Sequence, residues 1–316
     1  MTMTKSILIL SELLSEQIDE LEEIASDYKL IYDIDEAKPN ETNIILGWSN
    51  DLIPFIEADE SSVKWIQYPF AGVNSLPLDL FEEKDIILTN GSGIHQYAVA
   101  ESAIGLLLGL TRNVMASARN QLKEEWVDSK NLYELHGKTM MIVGAGKIGA
   151  HLGQIAKGFG MKTIGINRSG RDIKNMDEHY VQEDLKDVIG KADVVVNILP
   201  ATKETHHLFN SDMFDQMKND VIYINVGRGE SVDTDALLTA LDNDKVLFAG
   251  LDVFEEEPLP KGHPLWSHAK VLITPHIAGR VENYPKHLYP IFKENLESFI
   301  QGKEITVNKV ELENGY

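Results

Sequence analysis

Three side chains far apart in the chain have the types needed to reduce a carbonyl that stands beside a carboxylate. They are Arg228 in Asn225-Val226-Gly227-Arg228-Gly229, Glu257 in Leu251-Asp252-Val253-Phe254-Glu255-Glu256-Glu257-Pro258, and His276 in Thr274-Pro275-His276. A guanidinium grips a carboxylate bidentately, an imidazole can hand over a proton near neutral pH, and a carboxylate can hold the far ring nitrogen. Alone, Arg228 reads as a loop charge and His276 as a satisfied loop histidine. Together with Glu257 they stand out, because each follows a short apolar run of strand length. In a parallel sheet such strand ends share one edge, where open α/β folds bind their ligands.

The elements that must position this trio are legible as alternating strands and helices. Expected strands in the first part are 6–10, 30–32, 43–47, 65–68 and 86–89, with an amphipathic helix over 11–25 carrying Leu13, Leu14, Ile18, Leu21 and Ile24. A second series follows, with strands at 139–143, 163–166, 194–199, 221–225, 247–253 and 271–274 and helices at 148–159 and 234–241 among them. Such alternation gives parallel sheets covered on both faces. Between the two series, 97–119 reads as one long, mostly buried helix. The last helix, 284–301, is expected to be broken at Pro285 and Pro290 and to cross back to the first part.

At 316 residues the chain has room for two domains, and 43% apolar with 25% charged residues is the composition of a globular protein. Zero cysteines exclude disulfides and thiolate catalysis and fit a reducing compartment. The opening residues run straight into Ile7-Leu8-Ile9-Leu10, too short for a signal peptide or a membrane span, so a cytoplasmic location is expected. A formal charge of −21 argues against nucleic acid as a partner. No metal site is expected, since the histidines lack partners at ligand spacing.

A dinucleotide site is expected where strand 139–143 meets Gly144-Ala145-Gly146-Lys147-Ile148-Gly149 and a helix. Gly144 permits the tight turn, Gly146 lets backbone approach a pyrophosphate, and Gly149 allows close helix–strand packing. After the next strand stand Asn167, Arg168, Ser169 and Arg171. Arg168 and Ser169 suit a 2′-phosphate, which a carboxylate here would repel, so NADPH is expected over NADH. The competing reading makes Arg168 and Arg171 a solvated pair and gives the ribose to Asp172.

At this point the chain resembles the D-isomer-specific 2-hydroxyacid dehydrogenase family. The resemblance covers about Trp65 to Gly279 and adds to the motifs above Phe70-Ala71-Gly72-Val73-Asn74, Val99-Ala100-Glu101 and Leu199-Pro200-Ala201-Thr202-Lys203-Glu204-Thr205. It implies α/β architecture with two Rossmann-like, doubly wound parallel-sheet domains and an active site in the cleft between them. The substrate domain would comprise 1–96 and 286–316, the dinucleotide domain 97–285. His276 would be the general acid, Glu257 would hold its other nitrogen and keep the acid charged, and Arg228 would anchor the substrate carboxylate. The amides of Ala71, Gly72 and Val73 would cradle that carboxylate, and Asp252 would face the nicotinamide carboxamide. Leu199, Pro200, Thr205, Val226, Gly227, His276 and Gly279 would complete the cofactor contacts.

Within the family, no added C-terminal regulatory domain, no lysine in the 69–73 loop and no glutamine at 257 disfavour regulated phosphoglycerate, phosphite and formate dehydrogenases. An NADPH-dependent reductase of small 2-keto acids remains, expected as a homodimer, with Phe70, Trp48 and Tyr68 as a candidate apolar wall. His95 is expected near the substrate or at a hinge, and His206 and His207 at a cofactor edge or on the surface. Glu101 fits helix packing as well as function. A non-catalytic NAD(P)-sensing protein on the same fold is the alternative, and another Rossmann enzyme such as a methyltransferase a more distant one.

Overall fold

The apolar runs of the sequence become the strands of two parallel sheets. The computed structural model describes residues 5–73, 75–128 and 132–312; Asn74 of the 70–74 motif and residues 313–316 of the expected substrate domain lie outside them. Contacts divide the chain into two units, Met1–Ile94 with Val281–Tyr316, and His95–Arg280. The expected borders were 96/97 and 285/286. The return to the first unit comes earlier because Val281 and Tyr284 pack into its core, and the Pro285 carbonyl accepts a 3.1 Å hydrogen bond from Gln17 Nε2.

The first unit contains β1 (Lys5–Ile9), α1 (Ser15–Ile24), β2 (Tyr28–Ile31), β3 (Thr42–Leu46), α2 (Leu52–Glu57), β4 (Trp65–Gln67), α3 (Leu78–Glu83) and β5 (Ile87–Thr89), with sheet order β2-β1-β3-β4-β5. Its strands alternate between two cores. Leu8, Ile45 and Ile66 enter one, while Ile7, Ile9, Ile44, Leu46 and Trp65 enter the other. With both faces covered, a strand has no polar side to show, which is why these segments read as unbroken apolar runs.

The second unit runs α4 (Gln96–Thr111), α5 (Val114–Gln121), β6 (Thr139–Val143), α6 (Lys147–Gly158), β7 (Lys162–Asn167), β8 (Glu178–Val181), α7 (Leu185–Val188), β9 (Val194–Asn197), α8 (Ser211–Gln216), β10 (Val221–Asn225), α9 (Thr234–Asp242), β11 (Val246–Leu251) and β12 (Val271–Ile273). Sheet order is β12-β11-β10-β9-β6-β7-β8, all parallel. The chain leaves β6 in one direction and returns as β9 on its other side, which makes the β6/β9 crevice the switch point of the sheet. Again alternate residues part company: Met141, Val195 and Tyr223 enter one core, Met140, Ile142, Val194, Val196, Ile222 and Ile224 the other.

Three expectations need correcting. The helix expected over 97–119 is two helices, α4 and α5, bent by 68°. Asn113 stands between them in the left-handed region at φ 60°, a conformation that asparagine tolerates and a continuous helix cannot contain. Conversely, α10 (Tyr284–Ile300) in the first unit is continuous. Pro285 sits in its first turn, where the missing N–H is no loss. Pro290 and Lys286, whose carbonyl that proline leaves unpaired, are both exposed, so water can serve the carbonyl. Finally, β8 was not anticipated, since Glu178-His179-Tyr180-Val181 has no fully buried residue and so no apolar period to betray it. No single described helix is long and apolar enough to cross a membrane.

What completes the first unit is α10. Its Leu288, Tyr289, Phe292 and Leu296 join the core that holds Trp65, and the Phe292 ring stacks on Trp65 at 5.2 Å between centroids. The Trp65 indole N–H donates to Thr89 Oγ1 at 2.9 Å, which satisfies a polar group in a fully buried side chain.

Candidate active site

The register of three neighbouring strands sets the candidate site. Asn225 of β10 pairs with Leu251 of β11, and Leu251 with Ile273 of β12. Their carboxyl ends therefore stop in one row. Arg228 comes three residues beyond the row on one strand, Asp252 one beyond on the next, and His276 three beyond on the third.

At the β12 end the Nδ1–H of His276 donates to Glu257 Oε2 at 2.6 Å. The other Glu257 oxygen accepts from the Phe254 amide at 2.9 Å, so the carboxylate folds back on its own loop. With Nδ1 committed, Nε2 is the ring nitrogen left for a ligand. His276 is half-exposed and its backbone is left-handed, φ 51°, a conformation that costs energy for a side chain of this size. Two hydrogen bonds hold it there, from its own N–H to Asp252 O at 2.8 Å and to Thr274 O at 3.1 Å.

Asp252, expected at the nicotinamide, is 1% exposed and turned into the protein. Its Oδ1 accepts from Thr274 Oγ1 at 2.5 Å and from the Ile277 amide at 2.9 Å, and Oδ2 accepts from the Ala278 amide at 2.9 Å. A buried carboxylate needs such donors. Here they come from both sides of His276, so Asp252 latches the segment that carries the imidazole.

Arg228 is exposed. Its turn is stapled by Asn225, which accepts from the Gly227 amide at 3.1 Å and donates to Arg228 O at 3.3 Å, and by Ser231 Oγ, which donates to Arg228 O at 2.6 Å. Ser231 in turn accepts from Asn197 Nδ2 at 2.7 Å, which ties the turn to the end of β9. The guanidinium spends one N–H on Gly227 O at 2.8 Å and meets no carboxylate among the described residues. It is a held cation with donors to spare.

At the switch point the glycine motif closes the β6–α6 turn. Gly144 has φ 88°, and a Cβ there would lie 2.9 Å from the Ile198 carbonyl group. A Cβ on Gly146, the residue before α6, would meet nothing within 4 Å, so open space adjoins a helix N-terminus with free amides. Gly149 packs against Ile142 and Ala145, with no room for a side chain. Burial holds the Lys147 ammonium below the usual lysine range. At the end of β7, Asn167 Nδ2 closes the 168–171 turn by donating to Arg171 O at 2.8 Å, while Asn167 Oδ1 is shielded from water without a donor. That orphaned acceptor and the open space at Gly146 fit a dinucleotide's hydroxyls and phosphates. The Glu204 carboxyl is lowered by its own backbone amide, then by Thr202 and more weakly by Lys203 and Arg168, which puts a carboxylate within the field of Arg168. The remaining expected cofactor residues divide by exposure. Pro200 is exposed, whereas Leu199, Val226 and Thr205 are buried. The Thr205 hydroxyl staples its own turn by donating to Pro200 O at 2.7 Å. Gly227 presses on Leu199, where a Cβ would lie 2.6 Å from its carbonyl oxygen. Gly279 O accepts from His95 Nδ1–H at 2.7 Å, so His95 is anchored to backbone.

The 69–73 loop belongs to the first unit. Three successive carbonyls are engaged: Pro69 O by the Tyr284 hydroxyl, Phe70 O by the Gly91 amide at 3.1 Å, and Ala71 O by Asn90 Nδ2 at 2.8 Å. Burial, with Tyr68 second, pushes the Tyr284 phenol up to about 12, so it keeps its proton and remains a donor. Ala71 and Gly72 are exposed, and a Cβ on Gly72 would touch nothing within 4 Å, which leaves their backbone open to a ligand. Of the three aromatics expected to form a wall, only Phe70 is exposed, at 55%; Tyr68 is buried and Trp48 packs edge-on to Phe81. Glu101 is exposed too, so helix packing does not explain it.

Sequence reasoning missed a second histidine–carboxylate pair, His207 with Glu255 at 2.6 Å. Spacing could not reveal it, because the partners are 48 positions apart and Glu255 lies in a run of three glutamates. Among the described residues no group of three His, Asp or Glu side chains suits a metal ion.

Comparison with known proteins agrees with this architecture. Residues 104–278 match the family model described as D-isomer specific 2-hydroxyacid dehydrogenase, NAD binding domain. Glyoxylate/hydroxypyruvate reductase B of Escherichia coli is 35% identical over 238 residues, 73% of either chain. Among solved structures, a D-isomer specific 2-hydroxyacid dehydrogenase family protein from Aeromonas salmonicida superposes with a TM-score of 0.82 at 34% identity, over 98% of this chain and 99% of that one. A D-isomer specific 2-hydroxyacid dehydrogenase from Xanthobacter autotrophicus in complex with NADPH and MES gives 0.80 at 25% identity, over 99% and 100%.

The latch at Asp252 is testable. Asp252→Asn turns one acceptor into a donor that faces a buried N–H or hydroxyl. It should cost about 1–3 kcal/mol of stability in urea denaturation. An unchanged midpoint would show that the three hydrogen bonds carry no weight.

Proposed function

Since the chain belongs to the D-isomer-specific 2-hydroxyacid dehydrogenase family, and so is an NAD(P)-dependent oxidoreductase, we propose that it reduces small 2-keto acids to D-2-hydroxy acids with NADPH. The observation that carries this reading is the 2.6 Å Glu257–His276 pair, on the strand row that also ends in a stapled Arg228 with no carboxylate partner among the described residues.

The chain's own part in the reaction follows from those positions. Arg228 binds the substrate carboxylate with its remaining N–H donors and draws the adjacent carbonyl oxygen into its positive field. When bound, the dinucleotide would supply the hydride. His276 gives the Nε2 proton to the carbonyl oxygen as negative charge develops there. Glu257 accepts from Nδ1 throughout, which fixes the ring's orientation and leaves Nε2 facing the substrate. Ala71 and Gly72 offer, in their own unit, exposed backbone suited to a carboxylate, whereas Val73, expected beside them, is fully buried. Gly144, Gly146 and the start of α6 would hold the pyrophosphate, and Asn167 and Arg168 the adenosine ribose and its 2′-phosphate.

NADPH is favoured over NADH because Arg168, and no carboxylate, follows Asn167 at the end of β7. The complex of the Xanthobacter protein with NADPH supports this choice. A homodimer is proposed because Trp126 is fully exposed and Leu122 is 89% exposed, with Val127 and Val114 at 59% and 58%. The lack of cysteine and of a membrane-crossing helix among the described residues supports a cytoplasmic location. An NAD(P)-sensing protein without turnover would need neither the dyad nor a substrate anchor.

Oxidation of NADPH followed at 340 nm with a panel of 2-keto acids tests the reaction. We expect His276→Ala to lower kcat by orders of magnitude with little change in NADPH affinity, and Arg228→Ala chiefly to raise KM, with some loss of kcat. Normal turnover in either variant would remove that residue from the mechanism. For the cofactor, kcat/KM should favour NADPH, and Arg168→Ala should erase the preference; a clear NADH preference in the native chain defeats the assignment. Light scattering should find a dimer that Trp126→Asp converts to monomer, and a monomeric native chain would refute the proposed assembly.

A further inference from the structure

The loop Val253–Pro258 carries Glu257 to His276, and it is secured at a point the reaction does not use. Glu255 Oε1 meets His207 Nε2 at 2.6 Å. Its Oε2 accepts from the Thr234 amide at 2.9 Å and from the Thr234 hydroxyl, at the first turn of α9. Burial works against the Glu255 charge, yet the donors on Thr234 and His207 outweigh it and hold the carboxyl below its usual range. His207 is itself constrained: its backbone is left-handed at φ 48°, its amide donates to Glu230 O at 2.9 Å, and its ring lies on that of His206, 4.1 Å away.

The residue before Glu255 is Phe254, whose amide holds Glu257 Oε1 at 2.9 Å. The Phe254–Glu255 peptide also presses on Gly229. A Cβ there would stand 1.9 Å from Phe254 C and O and 2.5 Å from Glu255 N, so no other residue fits beside Arg228. Fixing Glu255 thus fixes, within one residue, the amide that orients Glu257 and the backbone against which the Arg228 turn rests.

We propose that Glu255 and His207 form a positioning pair that holds Glu257 against His276 and keeps the Arg228 turn in place. The proposal rests on the reaction assigned above and assigns neither residue a contact with substrate. The plain alternative is that Glu255 only caps α9. A cap would affect stability alone, independently of Glu257. A positioning residue acts through Glu257, and its effect must vanish once Glu257 is gone.

The experiment uses the full chain with NADPH and the best 2-keto acid of the panel. Glu255→Ala and His207→Ala should each lower kcat about tenfold, with little change in NADPH dissociation constant. Glu255→Gln, which can still accept from Thr234 and donate to His207, should recover most of that loss. In a Glu257→Gln background, Glu255→Ala should lower kcat less than twofold further. In ¹⁵N-labelled protein the His276 Nδ1–H resonance, lost in Glu257→Gln, should weaken in Glu255→Ala. Unchanged kcat in both alanine variants, or a tenfold loss that persists without Glu257, overturns the proposal. If Glu255→Ala does not fold, His207→Ala decides alone. A native chain that turns over no 2-keto acid defeats the assigned reaction, and the resonance then still decides whether the pair positions Glu257.

Discussion

A single hydrogen bond, from the imidazole of His276 to Glu257, governs what the surrounding backbone has to do. It is short only if two loops from different strand ends arrive at the same height and stay there. Parallel pairing of Asn225, Leu251 and Ile273 supplies the height. The rest is local restraint. Asp252 ties down the segment on either side of the histidine, and Asn225 with Ser231 ties down the arginine turn. Both use buried polar groups whose partners are mostly backbone amides and carbonyls, so rigidity is obtained without long side chains whose freedom would have to be lost.

Much of this was legible in the sequence because parallel strands with two covered faces give continuous apolar runs. Thr139–Val143 and Val221–Asn225 begin and end where their patterns do. The glycine motif was equally plain: Gly144 and Gly149 have no room for a side chain, and Gly146 adjoins open space at the start of α6. What stayed hidden depends on distance across the fold. Asp252 was expected at the cofactor from the family resemblance alone; only the Ile277 and Ala278 amides, brought back by β12, show that its carboxylate is held inward. The bend at Asn113 escaped because the apolar pattern continues past it, while one left-handed residue suffices to turn the chain. Pro290 misled in the other direction, as the helix that carries it is held by Leu288, Phe292 and Leu296 on the opposite side.

The two units solve different problems with the same architecture. In the proposed reaction the second unit offers side chains at strand ends, which its backbone is arranged to aim. In the first, the backbone itself is on offer: the carbonyls of Pro69, Phe70 and Ala71 are drawn inward, and exposed Gly72 leaves the peptide surface bare. Backbone groups add no rotamer freedom to the cost of holding a ligand, whereas an arginine does.

The stacking of Phe292 on Trp65 also sets an order of events during synthesis. A ribosome delivers Trp65 and the five strands of the first sheet long before it delivers α10, and the whole of the second unit emerges in between. Until then an indole and much of one face of that sheet have nothing to lie against. The stretch translated first is therefore the last to be finished, and a nascent chain must shelter that bare apolar face while its other half folds ahead of it.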